Sequence, residues 1–382
     1  MSKGNTRPAE NKELKLINQG AYGCIFHPGI NCRGKKENVR YITKIQKNTE
    51  NMKREVDMAK WITRLPRYTR FFSPIIKQCP VKITQKMQSS IQQCDVFANM
   101  SSSEINQFQY VSNKVRYVGK SDLRDHIQQQ PDWVHAANAI LETHAYLLKA
   151  YSLLATRDVV HMDVKPNNIM FDDANDRPVV IDFGISVHIP SLKTPDDYSD
   201  AFFVFDSYYV WSIEIMVCNY MFSELGLLAA KTKTVAESDL EWIMDVFFKG
   251  YKGDETNDTF YETVLAKSMG ENEYADKYRV KCMDFFKQYV GKTWWDVYTV
   301  FIEKEYYKTW DNYGLAVVYL TMLNHIPVEW KNEIMRNAIM REYIRLLESI
   351  ITASPNERPT LTHVAGELDR VLSMAKKTPA AG

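Results

Sequence analysis

Two short polar motifs, fixed in order and spacing, constrain this chain more than any other feature. The first is His161-Met162-Asp163-Val164-Lys165-Pro166-Asn167-Asn168-Ile169, and Asp182-Phe183-Gly184 begins 14 positions after Asn168. Both lie in a strand-and-loop stretch, Val159–Val187, with helical patterns on either side. Ahead of it, Asp132–Thr156 places Ile140, His144, Leu147, Tyr151 and Leu154 at spacings of four and three, the signature of one helix face. A turn that merely happened to be polar would explain neither the order of the motifs nor the distance between them.

The chain before these motifs reads differently. From Lys15 to about Val118 the pattern is strand-like with one helical interruption. Leu14–Ile17 leads into Gly20-Ala21-Tyr22-Gly23 and then Cys24-Ile25-Phe26, a strand, glycine turn and strand. Arg40–Ile45 is another strand, and Asn51–Leu65 is a helix that Pro66 ends. Phe108–Val111 and Lys114–Val118 read as two strands separated by Ser112-Asn113. After Gly119 helices dominate, so the expected class is α+β: a small β-rich lobe at 14–118 and a larger helical lobe at 119–372, with a ligand cleft between them. Short flexible tails are expected at 1–13 and 373–382.

Residues 215–308 exceed a minimal two-lobe plan. They form a helical block rich in aromatics (Trp242, Phe247, Phe248, Phe285, Phe286, Trp294, Trp295, Tyr298, Phe301). Ser238 and Glu241 have capping-box spacing, with Gly250 as a stop, and Tyr274, Tyr278, Cys282, Phe285 and Tyr289 make a second stripe. A buried subdomain core is the expected meaning; a protein partner on this insertion is the alternative.

Composition excludes several classes. With 48 Lys+Arg against 47 Asp+Glu in 382 residues, nothing draws the whole chain to nucleic acid or to a membrane. No apolar run approaches a membrane span, and the polar start lacks a secretory h-region. The six cysteines form no CxxC pair, so reduced thiols in a cytoplasmic protein are expected rather than disulfides.

The two motifs resemble those of the eukaryotic-type protein kinases, H-R-D-x-K-P-x-N and D-F-G. The resemblance covers roughly 14–214 and 305–372. It implies ATP, Mg²⁺ (or Mn²⁺) and a catalytic Asp163 that orients the acceptor hydroxyl, with Lys165 stabilising charge on the γ-phosphoryl group. Asn168 and Asp182 would be the metal ligands, both hard oxygen donors. Lys165 resembles the serine/threonine members, so the implied reaction is transfer of the γ-phosphoryl group of ATP to Ser/Thr hydroxyls of proteins. Asn18, Gly20, Gly23 and Ile25 stand at positions of the family's glycine loop, with Asn18 replacing the first glycine; Asn tolerates unusual backbone angles. Lys44 matches the strand lysine, and Glu55 its carboxylate partner, with Glu50 and Asp57 as alternatives. Ile42 is bulkier than the family's usual alanine over the adenine. Val115 (gatekeeper), Arg116 and Val118 match the adenine-binding hinge. Asp122 is assigned to a ribose hydroxyl, or else to a solvated loop.

Four residues are implied as structural support. His161 opens the catalytic loop, and Asp311, in Trp310-Asp311-Asn312-Tyr313-Gly314, matches the Asp that holds that loop's backbone. Arg358 matches the late arginine and Glu214 the A-P-E glutamate, which makes the activation segment Asp182–Glu214. Met162 replaces an Arg that grips an activation-loop phosphate, a bidentate task a thioether cannot perform. Activity is therefore expected not to depend on phosphate at Ser186, Ser191, Thr194, Tyr198 or Ser199. Two rival readings remain open: a pseudokinase scaffold that binds a partner through 215–308, and a small-molecule phosphotransferase of related fold. The divergent glycine loop, the absent A-P-E lettering and the insertion resemble kinases of large DNA viruses, which would place the protein in host cytoplasm or virion.

Overall fold

The computed structural model describes residues 15–377, apart from 21–22, 33–34, 85–86, 88–89, 173, 207 and 250–272. The chain divides into two compact units, Met1–Ala59 with Ser73–Val118, and Lys60–Phe72 with Gly119–Gly382. The stretch 60–72, expected in the first lobe, thus counts with the second unit.

In the first unit, β1 (Lys15–Gly20), β2 (Gly23–His27), β3 (Tyr41–Lys47), β4 (Ile75–Val81) and β5 (Tyr110–Arg116) form an antiparallel sheet in the order β1-β2-β3-β5-β4. On β3, Thr43 and Ile45 are buried while Ile42 and Lys44 are half-buried, the alternation a pleated strand imposes. The two strands expected around Ser112-Asn113 are one. Ser112 and Asn113 are 2% and 0% exposed in a strand paired on both edges. Asn113 is buried there with its Oδ1 accepting a hydrogen bond from the Gln78 amide at 3.0 Å.

The stretch between β4 and β5 also departs from the strand-like expectation. Short helices at Asp95–Ala98 and Ser102–Ile105 follow β4. Ile91, Cys94, Phe97 and Ile105 pack with Cys24, Phe26, Ile45 and Tyr110 of the sheet in one apolar cluster. Disulfides Cys24–Cys94 and Cys32–Cys79 correct the expectation of reduced thiols; Cys218 and Cys282 are free and buried. Beside the first disulfide, the Gln19 side chain donates to the Asp95 carboxylate and accepts from its N–H at 2.9 Å. The helix after β3 runs Glu50–Ile62, stopping short of Pro66.

The second unit is mainly helical. Trp133–Ala155, N-capped by Asp132, buries Ile140, His144, Leu147, Tyr151 and Leu154. Trp310–Met322 is buried along nearly its whole length. Two small two-stranded antiparallel sheets, Val159–Val160 with Val187–His188 and Ile169–Asp172 with Arg177–Val180, carry the loops of the two polar motifs. In the insertion, helices Leu227–Thr232, Glu237–Lys249, Glu273–Lys287 and Trp294–Glu303 bury Phe247, Phe248, Phe285, Phe286, Trp294, Tyr298 and Phe301. Trp242 remains 39% exposed, so the block is mostly core, as expected. Ser238 does not cap: the helix begins at Glu237, which puts Ser238 in its first turn. Gly250 and the Tyr274 side chain lie outside the described residues. Among the described residues no helix is long and apolar enough to cross a membrane.

Candidate active site

The first motif is held by its backbone. After Val160, the N–H groups of His161 and Met162 donate to the two oxygens of Asp311, at 2.8 and 3.1 Å. Burial raises the Asp311 pKa, although nearby His161 and these two N–H groups favour its charge. Met162 has φ 68°, the left-handed region that a non-glycine residue enters at a cost of order 1–3 kcal/mol. Gly314, on the Asp311 helix, admits this packing: a Cβ there would sit 3.0 Å from the Val210 carbonyl and 3.3 Å from Val164 Cβ.

His161 joins the two motifs. Its Nδ1 accepts from the Asp163 N–H at 3.3 Å, so Nε2 carries the proton and donates to the Ile181 carbonyl at 3.1 Å. The Ile181 N–H donates to the Asn168 carbonyl at 2.9 Å. Phe183 is buried edge-on to His161 and Phe72. Asp182 is therefore set beside Asn168, at φ 57° and exposed, with its Oδ1 accepting from the Gly184 N–H at 3.3 Å.

Asp163 is the focus of the site. Its Oδ2 accepts from Lys165 Nζ at 2.8 Å and Asn168 Nδ2 at 2.7 Å, and the same Nδ2 bonds the Asp163 carbonyl at 3.0 Å. Its Oδ1 accepts from the Tyr208 hydroxyl at 2.6 Å. Burial works against ionisation, but the Lys165 charge and the hydrogen bonds from Lys165 and Tyr208 hold the Asp163 pKa below its usual value. Tyr208 is a residue that motif reasoning missed; nothing in the spacing of Asp182–Glu214 distinguishes it. Its ring lies edge-on to Tyr209 and Trp211, and Trp211 Nε1 donates to the Met162 carbonyl at 2.8 Å.

Glu214 and Arg358 meet as a fork, both side chains fully buried, with Nη2 to Oε2 at 2.9 Å and a second bond from Nη1. The five hydroxyls named as modification positions differ in access. Ser186 is buried and donates to the His161 carbonyl at 3.0 Å, and Tyr198 is buried among aromatics. Thr194 caps the helix Pro195–Ala201, while Ser191 and Ser199 are exposed. Met162 is 3% exposed, packed as an apolar side chain.

In the first unit, Lys44 Nζ lies 3.2 Å from Glu55 Oε2, with Glu55 only 7% exposed. Gly20 and Gly23 pair at the end of the β1–β2 ladder. Gly23 is required by packing: a Cβ would fall 2.6 Å from the Ile45 carbonyl. Asn18 makes no use of its backbone tolerance, lying in β1 opposite Ile25 with its Oδ1 on the Gln19 N–H. Val115 pairs with Ile42 and Ile75, the Arg116 carbonyl accepts from the Ser73 hydroxyl at 3.0 Å, and Val118 is buried. Asp122, in the second unit, is no loose loop residue. Its carboxylate caps the helix Leu123–Gln128, accepting from the Asp125 N–H at 2.9 Å.

No family model matches the chain. Two curated relatives match over a short stretch: protein kinase YpkA of Yersinia pseudotuberculosis serotype I (strain IP32953) and protein kinase YpkA of Yersinia pestis. Each is 43% identical over 56 residues, 15% of this chain. Over that stretch the chain is similar to protein kinases. The match spans 7% of the relatives' own length.

Proposed function

We propose that this protein is a serine/threonine protein kinase, transferring the γ-phosphoryl group of ATP to hydroxyls of protein substrates. The observation that carries this reading is the Asp163 carboxylate, fixed on one oxygen by Lys165 and Asn168 and bonded to a hydroxyl on the other. Phosphoryl transfer asks a protein mainly to position groups and neutralise charge. Asp163 orients the acceptor hydroxyl and takes its proton late in the transfer. Lys165, bonded to the same carboxylate, is placed to offset negative charge that builds beside it. The Lys44–Glu55 pair gives the lysine a fixed direction, as a phosphate-binding cation needs.

The donor set suits Mg²⁺ or Mn²⁺. Asn168 turns its amide nitrogen to Asp163, which leaves its carbonyl oxygen as a hard ligand, and the Asp182 carboxylate is exposed on the neighbouring turn. Asn168 and Asp182 would hold the ion, which when bound draws charge from the phosphate oxygens. The test is incorporation of radiolabelled phosphate from ATP into casein by the full chain. Asp163→Ala and Asp182→Ala should each lower the rate at least about 100-fold, the scale of a lost general base or metal ligand. Incorporation by both variants at the wild-type rate overturns the assignment.

A further inference from the structure

The hydroxyl that occupies Asp163 belongs to the chain itself. Tyr208 Oη donates its proton to Asp163 Oδ1 at 2.6 Å, while Lys165 and Asn168 fill Oδ2. That is the ground-state arrangement of an acceptor on its base: a hydroxyl hydrogen-bonded to the carboxylate that will receive its proton. The ring is steadied by Trp211, whose indole is anchored on the Met162 carbonyl of the same loop, so the phenol is held at Asp163 rather than passing it. Tyr208 is half-buried.

We propose that Tyr208 is a phosphoacceptor of this protein's own site, modified within one molecule. The inference rests on the transferase reading above and extends its acceptor class from aliphatic hydroxyls to a phenol. In the step, Tyr208 Oη forms a bond to the γ-phosphorus of a Mg²⁺-bound nucleoside triphosphate. The bond from that phosphorus to the β,γ-bridging oxygen breaks, its electron pair leaves with the nucleoside diphosphate, and the phenolic proton passes to Asp163 Oδ1. Burial first, and then the Asp163 charge, hold the phenol's pKa well above its ordinary value, so it reacts as a hydroxyl with a base beside it and not as a preformed phenolate. Being tethered, Tyr208 meets the base at the high effective concentration of an intramolecular reactant. Once modified, the dianionic phosphate cannot remain on the Asp163 carboxylate, and the acceptor position is vacated.

The experiment incubates purified full chain with Mg²⁺ and ATP, locates phosphate by mass spectrometry, and includes casein in a parallel reaction. Phosphotyrosine at 208, forming at a fractional rate unchanged over a 100-fold range of protein concentration, is the expected result. Phosphate on casein without phosphate on Tyr208 overturns the proposal and leaves the transferase reading standing. A fractional rate that rises in proportion to protein concentration overturns the intramolecular step, and transfer to neither acceptor removes both readings. A measurement without nucleotide reads the contact itself. Nitration of Tyr208 by tetranitromethane should rise about tenfold in Asp163→Ala or Asp163→Asn, the scale of one lost hydrogen bond to a charged group; equal rates in wild type and both variants overturn it.

Discussion

Replacing Arg358 by methionine tests the mechanical footing of the site. Arg358 and Glu214 have no exposed side-chain surface and are joined by two hydrogen bonds. Arg358→Met keeps much of the volume but strands the Glu214 carboxylate in an apolar interior. Breaking a buried pair by removing one partner costs about 3–5 kcal/mol, against a total stability of about 5–15 kcal/mol for a typical domain. At roughly 2–4 °C per kcal/mol for a domain of this size, the melting temperature of the second unit should fall about 10 °C. Glu214→Leu/Arg358→Met removes the stranded charge and should recover to within about 1–2 kcal/mol of wild type. Thermal and urea unfolding followed by tryptophan fluorescence would report both variants, since Trp211 lies three residues from Glu214. A loss below about 1 kcal/mol in Arg358→Met, or a double variant as unstable as the two single changes summed, refutes the reasoning.

Two further outcomes follow from buried groups. His144 is fully buried against Tyr343 and Tyr319, and burial lowers its pKa from 6.5 to about 3. The folded chain keeps it neutral while the unfolded chain protonates it below 6.5. The stability it contributes is therefore present above pH 6.5 and lost as pH falls toward 3. His144→Leu should flatten the fall in unfolding free energy over that window by up to about 1.4 kcal/mol per pH unit; parallel curves would reject the assignment. The Cys24–Cys94 and Cys32–Cys79 bridges close separations of 70 and 47 residues. On the chain-entropy estimate each contributes about 4 kcal/mol. Reduction should then lower the unfolding midpoint of the first unit and leave that of the second in place, read by calorimetry with and without reductant; equal shifts in both would be inconsistent with this.

The cluster around Asp163 was legible because it is local. Asp163, Lys165 and Asn168 lie within six positions, and the turn after Val160 brings them together through short-range bonds. Asp311, Glu214 and Arg358 were singled out by resemblance; Asp311 bonds the backbone after Val160, and Glu214 pairs with Arg358. Other features depend on partners remote in sequence. Ser112-Asn113 looked like a break because polar pairs usually mark turns, yet Gln78, 35 positions from Asn113, bonds the Oδ1 of that side chain inside the sheet. The disulfides join cysteines with no short-range motif, so composition pointed to reduced thiols. The Asp122 carboxylate caps a helix through the N–H of Asp125, a contact neither reading of that residue named. Tyr208 reaches Asp163 across 45 positions, and only three-dimensional packing could disclose that.

The ties at residues 94 and 95 bear on the glycine hairpin of the first unit. Cys24 on one strand and Gln19 on the other are fastened to adjacent residues, one covalently and one by paired hydrogen bonds. A hairpin gripped on both strands behaves as a clamped spring and not as a loose flap. Much of the conformational freedom of these two strands has already been surrendered during folding. The oxidation state of Cys24 and Cys94 thereby sets how stiff that spring is, and reductant becomes a means of loosening one strand of the pair without substituting any residue.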